Sequence, residues 1–174
     1  MNAAVRWLRS HAGDYSIAVD HVAVVGFAFG GNLALLLGFT DERDGLEGDD
    51  ADLSVSSAVQ AVVCISAPVD LEALYTESGT PQQVLIDLIG ATPQESQEGY
   101  RRASPLTYAT VGDPPVLILH GDDDPMVPVR QAMLLDERMN EVGVPHELII
   151  LKGGKHENIT LKEDVWRFLA GHLR

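Results

Sequence analysis

The stretch VAVVGFAFGGNLALLLG, residues 22–38, constrains the fold of this chain more than any other. It begins with a short apolar, β-branched run, passes through a turn crowded with glycine, and continues as an apolar segment of helical character. An apolar run of this kind is typical of a parallel strand that is buried on both faces. Gly26, Gly30 and Gly31 would let the strand and helix backbones pass close together, around a turn residue held at strained backbone angles. That residue is Ala28.

Three further apolar runs have the length and composition of buried strands. They are residues 59–66, 116–120 and 146–151. The spacing of apolar residues predicts helices over approximately residues 30–38, 82–89, 129–142 and 161–173. Strands that alternate with helices predict an α/β fold with a parallel sheet. We therefore expect a single three-layer domain over residues 1–174, with about four strands.

The chain opens on another helical pattern, over residues 2–12. It places Ala4, Trp7, Leu8 and His11 on one face. Gly13 is expected to end this helix.

The composition excludes several functional classes. The net charge is -14, which argues against binding to nucleic acids or anionic membranes, because both need basic patches. The single cysteine, Cys64, lies in an apolar run and is expected to be a buried, unreactive side chain. We find neither a signal peptide nor an apolar run long enough to cross a membrane, so the expected location is cytoplasmic.

Residues 41–53 hold seven acidic side chains. No frame within them has the alternating oxygen ligands, the central glycine and the final glutamate of an EF-hand calcium loop. We interpret the segment as a solvated acidic loop. The sequence predicts no metal site, because His120 and the Asp122–Asp124 run lack a second histidine nearby. It predicts no cofactor, because GFAFGG lacks the spacing of a dinucleotide-binding motif.

Catalytic groups of parallel α/β sheets lie at the carboxyl ends of the strands. The first strand ends at Ala28, the third continues as HGDDDPMVP (residues 120–128), and the fourth is followed by GGKHEN, which contains His156. The order of these segments, together with the strand–glycine–helix turn, resembles the α/β-hydrolases of the esterase, dienelactone-hydrolase and prolyl-oligopeptidase-like branch, especially acetyl or feruloyl esterases.

This resemblance implies a Ser-His-Asp esterase in which Ala28 occupies the nucleophile position. It implies that Asp124 is the acid that orients His156, and that His156 is the general base. The backbone N–H of Phe29 would be one oxyanion donor. Asp122 and Asp123 are expected to make turn hydrogen bonds, and His120 is expected to be structural.

The chain departs from the family pattern in two respects. Ala28 has no hydroxyl, so a chain that otherwise keeps the acid and base should be inactive or nearly so. A deliberate Ser-to-Ala replacement explains this combination better than natural decay, which usually erodes the partner residues as well. No HGG-type loop, which would supply a second oxyanion donor, precedes the first strand, and the four family strands expected before it are absent. We therefore expect only the C-terminal half of the usual fold.

These departures leave three alternatives open. The chain is a small-ester hydrolase that lost its nucleophile by mutation, a non-catalytic module that binds a ligand or protein, or a weak hydrolase in which His156 activates water. Nothing in the chain pairs with the outer edge of the first strand, and one face of the sheet should be covered only by the C-terminal helix. We therefore also expect a homodimer or higher oligomer, joined through that edge or through that thinly covered face. Ser66, at the end of the second strand, could approach the cleft but lacks the turn geometry of a nucleophile.

Overall fold

The computed structural model describes residues 1–48, 53–77, 79–157 and 162–173. Four parallel strands form one sheet in the order in which they occur along the chain. They are β1 (Ala23–Phe27), β2 (Ala61–Ile65), β3 (Val116–Gly121) and β4 (His146–Leu151). The expected three-layer α/β fold with a parallel four-stranded sheet is therefore confirmed.

The α-helices described here flank the sheet or lie between its strands. They are α1 (Asn2–Ser10), α2 (Ala12–Tyr15), α3 (Phe29–Phe39), α4 (Leu71–Thr76), α5 (Gln82–Ile89), α6 (Gln97–Arg102), α7 (Arg130–Val142) and α8 (Lys162–His172). The prediction that Gly13 ends the first helix is wrong. The helix breaks at His11, which leaves helical angles at φ -108° and ψ 15°, and Gly13 lies within α2.

The two faces of the sheet are covered unequally. On one face, α3 and α7 pack over β2 and β3 in the larger apolar cluster, which also receives Val5 of α1. On the other face, the smaller cluster contains Phe168 and Leu169 of α8. Cys64 lies in the larger cluster at 1 % exposure, where burial raises the pKa of its thiol to about 12, in agreement with the expected unreactive side chain.

The edge of the sheet at β1 exposes apolar side chains. Val25 is 51 % exposed and Phe27 is 45 % exposed, and they alternate with inward residues along the strand. The face of α1 that carries Trp7 and Leu8 is also exposed, while Val5 points to the core. The face predicted from helical spacing is therefore the exposed one, and on it Trp7 stacks with the ring of His11 and contacts the ring of Tyr15 in α2.

A small helical cap lies between β2 and β3. Helices α4, α5 and α6 enclose a separate apolar cluster of Leu71, Leu74, Leu85 and Tyr100, against which Phe29 packs. The side-chain amide of Asn32 ties the cap to α3, because it donates to the carbonyl oxygens of Pro68 and Ala103, each at 3.0 Å. The cap therefore stands beside the turn that connects β1 to α3.

None of the described helices combines the length and the apolar composition that a bilayer crossing requires.

Candidate active site

Ala28 forms the tip of the turn between β1 and α3. Its backbone angles are φ 51° and ψ -125°, a conformation that costs a non-glycine residue about 1–3 kcal/mol. The turn is held by hydrogen bonds at both sides of the residue. The N–H of Ala28 donates to the carbonyl of Ile65 at 2.8 Å, and its carbonyl accepts from the N–H of Gly31 at 2.9 Å. The residue at this tip is thus fixed at the carboxyl end of β1, and in this chain it presents only a methyl group.

The glycines of this turn have different roles. A Cβ atom on Gly26 would lie 2.0 Å from the carbonyl oxygen of Gly30, far inside contact distance. A Cβ atom on Gly31 would lie 2.8 Å from that of Ala67. A Cβ atom on Gly30 would meet nothing within 4 Å. The close approach of strand and helix therefore depends on Gly26 and Gly31, whereas Gly30 contributes only its backbone.

Asp124 follows β3 and is positioned by its own loop. Its Oδ1 atom accepts hydrogen bonds from the N–H groups of Met126 and Val127, each at 2.9 Å. The side chain is fully buried. Burial raises the pKa of Asp124, but the donors of Val127, His156 and Met126 outweigh burial and hold the pKa of this carboxyl below its ordinary value. Asp124 is therefore a buried carboxylate that is ionised at neutral pH.

His156 lies in the loop after β4 and binds this carboxylate. Its Nδ1 atom is 2.7 Å from Oδ2 of Asp124. Because an ionised carboxylate only accepts, Nδ1 carries the proton, and Nε2 remains as the basic nitrogen of the neutral ring. The imidazole also contacts the ring of Phe27, with 4.8 Å between the ring centroids. Since Phe27 directly precedes Ala28, the acid–base pair lies next to the strained turn.

The loop after β3 (residues 122–128, the acid loop) and the loop after β4 (residues 152–157, the histidine loop) lie with their backbones in close contact. A Cβ atom on Gly121 would lie 2.1 Å from the carbonyl oxygen of Gly154. The exposed Asp122 accepts a hydrogen bond from the N–H of Gly153, and the N–H of Asp123 donates to Gly154 at 3.1 Å. Only Asp124 of the three consecutive aspartates turns inward to meet the imidazole.

Phe29 is the first residue of α3, so its N–H belongs to the group of helix-start donors that have no acceptor within the helix.

Ser66, beyond β2, is fully buried with φ 48°, and its hydroxyl has no hydrogen-bond partner among the described residues. The burial of Ser66 makes it unsuitable as a nucleophile.

An open groove of about 890 Å³, lined among others by Gly38, Pro114 and His172, lies at the opposite, amino-terminal end of the strands. Ligand sites of parallel sheets do not usually occur at that end.

The model of the BD-FAE family matches residues 1–139. The chain belongs to the BD-FAE family. Among curated proteins it is similar to the esterase LipC of Mycobacterium tuberculosis, with 30 % identity over 148 residues that make up 82 % of this chain and 36 % of LipC. The chain spans about a third of the length of the curated esterases that it matches.

Solved structures agree with the family assignment. A truncated carbohydrate esterase from gut microbiota superimposes with a TM-score of 0.89 and 29 % identity, over 98 % of this chain and 66 % of that one. An acetyl ester-xyloside bifunctional hydrolase from Caldicellulosiruptor lactoaceticus gives a TM-score of 0.75 and 25 % identity, over 97 % of this chain and 61 % of that one. This BD-FAE protein is therefore related to esterases of the α/β-hydrolase superfamily, and its three-layer α/β fold matches part of their structures.

Proposed function

We propose that this chain carries the catalytic machinery of a carboxylic ester hydrolase, with the nucleophile position occupied by Ala28 and the protein inactive as it stands. The observation that carries the proposal is the 2.7 Å bond between His156 Nδ1 and Asp124 Oδ2, next to a strained turn whose tip is Ala28. In this assignment Asp124 orients the imidazole, Nε2 of His156 is the general base, and the Phe29 N–H is an oxyanion donor.

The proposed chemistry needs a hydroxyl at position 28. Its oxygen would attack the ester carbonyl carbon while its proton passes to Nε2 of His156. The carbonyl oxygen becomes an oxyanion that accepts from Phe29, and the leaving alcohol takes the proton back from the imidazolium. Water, deprotonated by the same Nε2, then attacks the acyl carbon, and the acid is released as the oxygen at position 28 takes the proton back from the imidazolium. The methyl group of Ala28 cannot perform the first step.

The proposed substrates are small acyl esters of carbohydrates. Two of the structural relatives are described as a carbohydrate esterase and an acetyl ester-xyloside hydrolase, which supports this class. We propose acetyl esters in particular.

The Ala28→Ser variant tests the proposal. Restoring a triad nucleophile is worth roughly 10⁶ in turnover, and a single oxyanion donor accounts for about 10²–10³, which we subtract because only the Phe29 N–H is assigned here. We therefore expect hydrolysis of p-nitrophenyl acetate and acetylated xylo-oligosaccharides to rise at least about 10³-fold over the parent. The double variant Ala28→Ser/His156→Ala is the control and should lose the gain. An Ala28→Ser protein that is folded and no more active than the parent would reject the esterase assignment.

Ala28 itself supports a second candidate, a module that binds an ester or a partner without cleaving it. In that case the parent chain should bind an acetylated oligosaccharide by calorimetry and return it intact, and Ala28→Ser should add no turnover.

We further propose that the chain associates through the exposed edge of β1. Val25 and Phe27 are half exposed on an edge strand, and an unpaired apolar edge favours pairing with another chain. A second copy of this chain is the proposed partner.

A further inference from the structure

His120 lies in β3 beneath the acid loop and takes no part in the chemistry proposed above. It is 1 % exposed, and its Nε2 atom is 2.8 Å from the carbonyl oxygen of Val127. A carbonyl oxygen only accepts, so Nε2 carries the proton. Burial lowers the pKa of His120, and this effect outweighs the bond to Val127 and the nearby charge of Asp124, which raise it. The ring is thus a neutral donor.

The bond made by His120 closes the loop that orients the acid. Oδ1 of Asp124 accepts the N–H of Val127, while the carbonyl of the same Val127 accepts from His120. Val127 is therefore held at both ends, by the carboxylate and by the imidazole. The Nε2 atom of His120 also lies 3.6 Å from Oδ2 of Asp124, the carboxylate oxygen that binds His156, which is too far for a hydrogen bond.

We infer that His120 is a positioning residue that sets the direction of the Asp124 carboxylate, and through it the orientation of His156. The inference rests on the proposed function for its catalytic consequence, because an orienting role matters only if the Asp124–His156 pair works on a substrate. The effect of His120 on the orientation of Asp124 and His156 can be tested without measuring catalytic activity.

The test observes the Nδ1 proton of His156 by NMR in the parent chain, assigned by its absence in His156→Gln. A proton donated to a buried carboxylate exchanges slowly and gives a low-field signal. His120→Leu has no donor for Val127, whereas the amide of His120→Gln can still donate. We expect the signal to broaden or vanish in His120→Leu and to persist in His120→Gln.

His146 provides a matched control. Its ring nitrogens lie 2.8 Å from the carbonyl of Val144 and 3.0 Å from Oδ1 of Asp136, so it resembles His120 in its partners but lies outside the site. The variant His146→Leu should leave the His156 signal unchanged. If His120→Leu does not fold, His120→Asn, whose amide is too short to reach Val127, replaces it and should also lose the signal.

In the Ala28→Ser background, His120→Leu should lower kcat by about 10²-fold with little change in KM, the cost of misplacing a catalytic group by about 1 Å. His120→Gln should recover most of that loss. A folded His120→Leu or His120→Asn protein that keeps the parent His156 signal would overturn the inference, as would equal loss of the signal in His146→Leu. If Ala28→Ser is inactive, the proposed esterase function fails, while the NMR result still decides the role of His120.

Discussion

At the scale of single residues, the site keeps its geometry although position 28 carries a methyl group. The positive φ of Ala28 gives an alanine no benefit that glycine would not give at lower cost. Asp124 is likewise a buried charge, stabilised by the N–H groups of Val127 and Met126 and by His156. Both features are costs to folding, and the proposed site of a nucleophile, an acid and a base would account for them.

Replacing Asp124 by Asn should reveal this cost in the pH dependence of stability. The pKa of Asp124 is lowered in the folded chain, so its carboxylate stabilises the fold fully above its unfolded pKa of about 3.9, and this contribution is lost as the pH falls below that value. We expect Asp124→Asn to lower the free energy of unfolding by about 1–3 kcal/mol at pH 7, with the difference shrinking below about pH 4. Urea unfolding between pH 3 and 8 measures it.

The exposed neighbour provides the control for that experiment. Asp123→Asn should stay within about 0.5 kcal/mol of the parent, because its side chain is at the surface. A loss for Asp124→Asn that is the same at pH 3 and pH 7 would contradict the assignment of a buried, ionised carboxylate.

At the scale of elements, the turn between β1 and α3 depends more on Gly26 than on Gly30. Gly26→Ala would place a methyl group 2.0 Å from the Gly30 carbonyl oxygen, and backbone atoms on both sides cannot move apart without separating strand from helix. We expect a loss of more than about 3 kcal/mol in urea unfolding, or failure to fold.

Gly30→Ala is the matched substitution in the same turn. Its Cβ atom meets open space, and alanine is favoured over glycine in a helix by about 1 kcal/mol, so this variant should be neutral or more stable. Equal destabilisation by the two substitutions would show that the turn is not packed as described.

The strands and the turn could be predicted from sequence because each is encoded locally, whereas the pairing of Asp124 with His156 is predicted from the resemblance to α/β-hydrolases. Apolar runs mark the strands, and the HGDDDPMVP segment and His156 follow two of them. Helix α4 escaped prediction because its six residues are too few for a periodic pattern, although Asp70 caps it by accepting from the N–H of Ala73. The role of His120 could not be foreseen, because it depends on a carbonyl seven residues later that only the folded loop brings to the ring.

At the scale of the whole molecule, the unequal covering of the sheet is the feature with the widest consequence. Val25 and Phe27 on β1 and Trp7 on the outer face of α1 are all about half exposed. That exposure is unusual for large apolar side chains. The spacing of residues in the sequence shows which face is apolar. It cannot show whether a partner covers that face, because the partner is not part of the pattern.

The association proposal predicts a concentration-dependent dimer in sedimentation velocity at micromolar protein. With a net charge of -14, two copies repel each other, so added salt should favour the dimer. Val25→Lys, on the β1 edge, should shift the protein to monomer. Val111→Lys, at an 80 % exposed site away from that edge, should leave the dimer intact. A parent chain that is monomeric at high salt would count against the proposal.

Covalent labelling of the Ala28→Ser variant with a fluorophosphonate, followed by intact-mass and peptide mass spectrometry, tests the central claim most directly. The introduced hydroxyl should attack phosphorus and displace fluoride, and the adduct should map to position 28. The parent should stay unlabelled, and adding His156→Ala to the variant should slow labelling by at least about 10²-fold, since the general base would be lost. Absence of an adduct at position 28 in the folded variant, or labelling that is equally fast without His156, would contradict the account.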